Sequence, residues 1–300
     1  MTPGAPGTGG GAAGARRLLC YMNLMAVEDL PPWSAGPLTK DVAQVLEAVR
    51  DAGYDGVQFV TPIGAREARL CEGLALGRCS LGRVNEPREA DELAARFAGE
   101  GQECGTLHVG WGLEDDSRAC ALAEAVLAAS ERHRVPLYVE THRATIFQDL
   151  WRTVQMVRRY PQLRFNGDFS HWYTGLEMVY GGFEAKLAYA APVLDRVRFV
   201  HGRIGSPGCI QVSVGDDEAR HEPYVSHFRQ LWTASFAGYL RDASAREPFL
   251  FVPELLSPRI HYGRVFPGRE GVPREEGDRW TDSFTLCRIA RECWAAAGGA

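Results

Sequence analysis

None of the eight cysteines, at positions 20, 71, 79, 104, 120, 209, 287 and 293, stands in a Cys-x-x-Cys pair. A zinc knot or redox dithiol on that spacing is excluded. Several of these thiols sit in apolar runs that suit buried, reduced side chains, which points to a reducing, cytoplasmic compartment. No apolar run approaches the ~20 residues that a membrane-spanning helix needs. Basic residues are not in excess. Lys and Arg number 33 against 38 Asp and Glu, a net charge of -5, and nucleic acid or an acidic membrane surface would call for a basic face. No Gly-rich cradle or paired Lys marks a phosphate site, which favours a non-phosphorylated small-molecule substrate. The opening MTPGAPGTGGGAAGA has neither a basic start nor an apolar core. It reads as a disordered lead-in over residues 1–16 rather than a signal peptide, with one domain over 17–300. No repeat of the solenoid kind is present.

What is present is an alternation of short apolar runs and helical periodicities. Strands are expected at Leu18–Leu24, Gly56–Val60, Gly73–Gly77, Gly105–Gly110, Pro136–Val139, Leu163–Phe165, Val197–Val200 and Phe249–Val252. The third of these is the weakest, and a loop bearing Arg83 and Asn85 follows it. Between them lie apolar faces at helical spacing. These are Val42, Val45, Leu46 and Val49; Ala90, Leu93, Ala94 and Phe97; Ala119, Leu122, Val126 and Ala129; and Phe147, Leu150, Trp151, Val154 and Val157, stopped by Tyr160-Pro161. A helix from about Gly175 to Leu194 is expected to bend at Gly181-Gly182. Tyr224, Phe228, Leu231, Trp232, Phe236 and Tyr239 mark another, and Asp282 to Trp294 the last. Eight strands alternating with helices predict an α/β fold, a single-domain (β/α)8 TIM barrel. Two connections are longer than a barrel requires, Ile204–Pro223 and Leu255–Thr281, and both follow strand ends where loops cover an active site.

Four successive strands end in an acid or an imidazole: Glu140, Asp168, His201 and Glu254. Parallel strands joined by crossover helices point their C-terminal ends the same way, so these groups should share one rim. Three converging carboxylates would repel unless a cation compensates them. Three oxygen donors and one imidazole suit one Mn²⁺, Mg²⁺, Co²⁺ or Zn²⁺, and the lack of thiolate argues against a closed structural zinc site. His171, three residues after Asp168, and Arg203, two after His201, should face the same cavity and hydrogen-bond a polar substrate or a developing oxyanion. His108, His142, Arg143, Trp172 and the strand-end Gln58 are candidates to line a substrate pocket. Trp33 and Trp111 stand near the same rim, where aromatic faces suit the C–H faces of sugars.

At these residues the chain resembles the xylose-isomerase-like barrels of the sugar phosphate isomerase/epimerase superfamily. The segments that carry the resemblance are YVETHR, NGDFSHW, FVHGRIG and FVPELL, and it spans about residues 17–295. It implies that Glu140, Asp168, His201 and Glu254 bind the metal, that Glu140 and Glu254 double as the acid/base pair, and that His171 and Arg203 stand behind them. It also implies a possible homodimer through the rim loops. The expected chemistry is proton abstraction next to a carbonyl, giving isomerisation or epimerisation of a sugar or polyol-like substrate. β-Elimination by a lyase shares the first step. An endonuclease-IV-like phosphodiesterase is a rival, but Asp216-Asp217 and His221 have the wrong spacing for its further ligands. A non-catalytic accessory subunit is another. The Ile204–Pro223 segment does not look like that of the well-known ketose epimerases, so the substrate is unassigned.

Overall fold

The computed structural model describes residues 16–215 and 218–299. All of the expected lead-in but Arg16, together with Asp216 and Asp217, lies outside the described residues. Eight parallel strands close into a barrel in sequence order. They are β1 (Leu18–Asn23), β2 (Gly56–Phe59), β3 (Gly77–Val84), β4 (Gly105–Val109), β5 (Leu137–Glu140), β6 (Phe165–Asn166), β7 (Val197–Gly202) and β8 (Phe249–Pro253). Closure is by β1 on β8, with Leu18 opposite Phe249. The outer layer holds α1 (Leu24–Val27), α2 (Val42–Asp51), α3 (Ala65–Gly73), α4 (Pro87–Gly99), α5 (Asp116–His133), α6 (Leu150–Arg159), α7 (Phe169–Gly175), α8 (Phe183–Leu194), α9 (Tyr224–Arg241) and α10 (Arg279–Ala296). Aspartates set the starts of five of them: Asp41, Asp115, Asp149, Asp168 and Asp278 accept a backbone N–H from the first turn. The connection after β8 folds into a small hairpin, β9 (Val265–Pro267) on β10 (Pro273–Glu275). Among the described residues, no helix is long and apolar enough to cross a membrane.

Side chains on a strand face the same side every second residue, and this period builds the site. Tyr21, Tyr138, Phe199 and Val252 belong to an apolar plug inside the barrel, with Cys79 and Leu250. Two residues further along the same strands come Asn23, Glu140, His201 and Glu254. The polar layer therefore rests on an apolar floor.

Four expectations need correction. The third strand is not Gly73–Gly77. Gly73 ends α3, Ala75 takes a positive φ of 55°, and the strand begins at Gly77. Its sequence, GRCSLGRV, carries two glycines and two arginines, so no apolar run marks it. Arg83 is consequently a strand residue. The helix expected from 175 to 194 is confined to α8, Phe183–Leu194, because α7 ends at Gly175 and residues 176–182 are not helical. Gly181 and Gly182 adopt φ of +70° and +87°, which breaks the chain between α7 and α8 instead of bending it. In α6 the apolar face excludes Trp151, which is 60% exposed, and Phe147 precedes the helix.

Candidate metal centre

Glu140 ends β5, His201 lies in β7, and Glu254 follows β8 directly. Asp168 is the cap of α7, where its Oδ1 accepts from the Ser170 N–H and hydroxyl, leaving Oδ2 for the barrel mouth. One ligand atom from each of the four lies within 4.8 Å of the others, and all four residues are buried. His201 Nδ1 is 3.3 Å from Glu140 and 3.5 Å from Glu254. Arg203, fully buried, reaches Asp168 and lies 3.1 Å from Glu254 Oε2.

The electrostatics separate the carboxyl groups. Burial pushes the Glu140 carboxyl up, but His108 and His201 outweigh it and hold the group well below the usual range. Burial raises Glu254 above its ordinary value despite His201 and Arg203. Asp168, also buried, is driven down by Arg203 and His171. Burial works against the charged form of His201, yet Glu254 and Glu140 prevail and raise it to about 9.

These residues fit a divalent ion on three counts. Glu140 Oε1 is buried with no hydrogen-bond partner. The donors are hard oxygens plus one imidazole. The third count is the tautomer of His201. Gln58 Nε2 donates to Thr106 Oγ1 at 3.1 Å, so its Oε1 faces His201 Nε2 at 3.0 Å and takes that proton. Asn166 Oδ1 accepts from the His201 backbone N–H, so the Asn166 amide presents N–H groups to His201 Nδ1 at 2.9 Å and to Glu140 Oε2 at 2.9 Å. In the neutral imidazole the proton therefore stays on Nε2, and Nδ1, which faces Glu140 and Glu254, is the nitrogen left to bind an ion, the arrangement that outer hydrogen bonds impose on metal-binding histidines. A second group, His108, Glu140 and His142, also converges within 4.8 Å. His142 is already committed, Nδ1 to the Arg143 carbonyl and Nε2 to the Tyr262 hydroxyl at 3.1 Å.

Above the four ligands, three imidazoles form a row. The His108 and His142 rings are 4.1 Å apart, and His142 and His171 are 3.8 Å apart. Burial and the neighbouring His171 push His142 down to about 2, so it is neutral. Burial likewise outweighs Asp168 and lowers His171. Tyr262, from the long connection after β8, closes the row. Arg203 and Arg143 lie 4.8 and 5.0 Å from its ring centre.

No protein-family model matches the chain, and no curated protein matches it in sequence. Solved structures do match. A protein from Sinorhizobium meliloti 1021 superposes with a TM-score of 0.51 at 14% identity, over 92% of this chain and 98% of that one. A sugar phosphate isomerase/epimerase from Parabacteroides distasonis gives 0.50 at 12% identity, over 92% and 96%. The probable 3-DHS dehydratase of petrobactin synthesis from Bacillus anthracis gives 0.50 at 11%, over 91% and 98%. The chain shares the barrel fold of these structures. At these identities the likeness is one of architecture.

Within this barrel the pocket residues expected from the sequence divide. His108, His142 and His171 stand together, and Arg143 reaches Tyr262 from an exposed position. Trp172 does not line the cavity. It is fully buried, donates its indole N–H to the Phe147 carbonyl at 3.0 Å, and packs on Phe169. Gln58 is also fully buried and serves His201 rather than an open pocket. Trp111 is 54% exposed beneath Arg83, and Trp33 lies against Arg274. Asn23, Asn166, Arg83 and Tyr262 were missed. The first two were detectable as strand-end amides two residues from plug positions or beside a ligand. Tyr262 lies in a loop with no periodicity, and nothing local betrays its placement.

Proposed function

We propose that this barrel is a divalent-metal-dependent enzyme that removes a proton next to a carbonyl in a sugar or polyol-like substrate, as an isomerase or epimerase. The observation that carries the reading is the convergence of Glu140, Asp168, His201 and Glu254 within 4.8 Å at the C-terminal rim, the face on which barrel enzymes carry their chemistry. One Mn²⁺, Mg²⁺, Co²⁺ or Zn²⁺ bound there would supply Lewis-acid polarisation of the substrate carbonyl.

The protein's part follows from its charges. Glu254, with its raised proton affinity, is the better proton acceptor, while Glu140 stays ionised. Arg203 holds Asp168 and Glu254 in place. His171, with a buried and unpartnered Nδ1, is available to hydrogen-bond the substrate oxygen on which charge develops. Tyr262 meets the row of histidines edge-on at His171, 6.5 Å between ring centres, and its hydroxyl pairs with His142. Returning the proton to the opposite face gives an epimer, and returning it to the adjacent carbon gives an isomer. Loss of a β-substituent would make the enzyme a lyase. The His142–Tyr262 hydroxyl pair favours keeping that second reading, because an elimination needs a proton donor for its leaving group.

The test is deuterium exchange. Metal-loaded protein in D₂O should wash deuterium into the carbon next to the carbonyl of a turned-over ketose, and Glu254→Gln should not. Metal binding without exchange, across a ketose panel, would leave the accessory-subunit reading. Three ions per chain would favour the phosphodiesterase.

A further inference from the structure

Arg83 lies on the barrel wall in β3, next to β4, and among the described residues no acid forms an ion pair with it. One terminal nitrogen donates to the carbonyls of Gly110 at 2.6 Å and Ala144 at 3.2 Å, the other approaches His108 Nδ1 at 3.3 Å, and the guanidinium stacks 4.0 Å over Trp111. Every contact is to a neutral group. The acids that feel its charge are Glu140 and Glu114. Glu140 belongs to the metal centre, and Glu114 is taken up by the backbone N–H groups of Trp111 and Gly112 at 2.8 Å each. Arg143 stands on the same side of the cavity and meets only the ring of Tyr262. An arginine held half-buried with no counter-ion is costly unless a ligand supplies one.

His108 gives the direction. Its Nδ1 faces the Arg83 guanidinium, a pure donor, so the proton sits on Nε2. That Nε2 lies 3.3 Å from Glu140 Oε2. Arg83 thus stands one imidazole away from the metal-side carboxylate, with His108 engaged between the two.

We infer that the substrate carries a carboxylate at the end remote from its reacting carbonyl, and that Arg83 and Arg143 form the subsite that reads it. The inference rests on the proposed function for where the carbonyl sits. A planar carboxylate matches a planar guanidinium better than a phosphate does here, since among the described residues no run of backbone N–H groups or helix start accompanies it. The chemical class is a keto acid of the uronate kind, a ketose whose far end is oxidised.

The experiment measures binding rather than turnover. Manganese is first titrated into the metal-free protein. Calorimetry on the manganese-loaded protein then compares D-fructuronate, D-fructose and D-fructose 6-phosphate, which differ only at the remote carbon. D-Fructuronate should bind about tenfold or more tighter than D-fructose, as charge-assisted hydrogen bonds of this kind imply. Arg83→Met should abolish that preference while leaving manganese affinity unchanged, and Arg83→Lys should keep part of it. Equal binding of the three, absence of binding by all of them, or tighter binding of the phosphate overturns the inference. So does a preference that survives both Arg83→Met and Arg143→Met. Failure of manganese to bind in the first step would instead overturn the proposed function.

Discussion

His201 makes metal binding a proton-releasing event, and its size can be worked out. In the metal-free protein the imidazole is raised to about 9 by Glu254 and Glu140, against its burial. Only the unprotonated Nδ1 can bind an ion. Below pH 9 the ion must displace a proton, so apparent affinity should fall about tenfold for each pH unit, or about 100-fold from pH 9 to pH 7. Stability moves the other way. A histidine whose folded pKa is raised gives stability that is fully present below its unfolded value near 6.5 and is lost as pH rises through about 9. That difference corresponds to roughly 3 kcal/mol at ~1.4 kcal/mol per unit. The metal-free protein should therefore lose melting temperature between pH 6.5 and 9, while the metal-loaded protein should gain stability relative to it. Calorimetric titration with Mn²⁺ in two buffers of different ionisation enthalpy counts the protons, and melting curves across the same range read the stability. One proton released per ion near pH 7 is expected. A flat affinity from pH 6 to 9 with no proton released would refute the reasoning.

Glu254→Gln keeps the shape of the side chain and removes both its base and one of three crowded carboxylates. Turnover should drop by about 10²–10⁴-fold, with the metal-free melting temperature unchanged or raised; a variant that turns over normally removes Glu254 from the chemistry. Trp172→Ala should cost about 3–5 kcal/mol of stability in denaturant melts, the range for emptying a core aromatic. A stable variant with altered substrate affinity alone would return Trp172 to the pocket. Asp282 is raised to about 6 by burial, against help from Ser213 and the Gly215 N–H. Its ionisation therefore erodes stability as pH rises from about 4 to 6. Asp282→Asn should stabilise the protein at pH 7 by up to about 3 kcal/mol and flatten that slope; an unchanged slope would contradict the assignment.

The barrel was legible because its strands are short apolar runs that each stop at a polar residue, and Glu140, Asp168, His201 and Glu254 are those stops. Strand β3 was not legible. Two of its buried residues, Cys79 and Ser80, are small, and its arginines point the periodicity toward a loop. Trp172 misled because an aromatic three or four residues past a ligand can face the cavity or the core, and a seven-residue helix gives no apolar stripe to decide between them. Gln58 was placed on the correct rim, but its partner lies 143 positions away in the chain, so its duty to His201 required the closed barrel. The hairpin of β9 and β10, and the Tyr262 that precedes it, fold on contacts between distant segments and leave no local trace.

The central claim is that one divalent ion sits among Glu140, Asp168, His201 and Glu254. Anomalous diffraction from crystals grown with Mn²⁺ tests it most directly. A single peak bound by those four side chains, with His201 engaged through Nδ1, is the expected result. A protein that takes up no manganese, or holds it anywhere else, would contradict the claim.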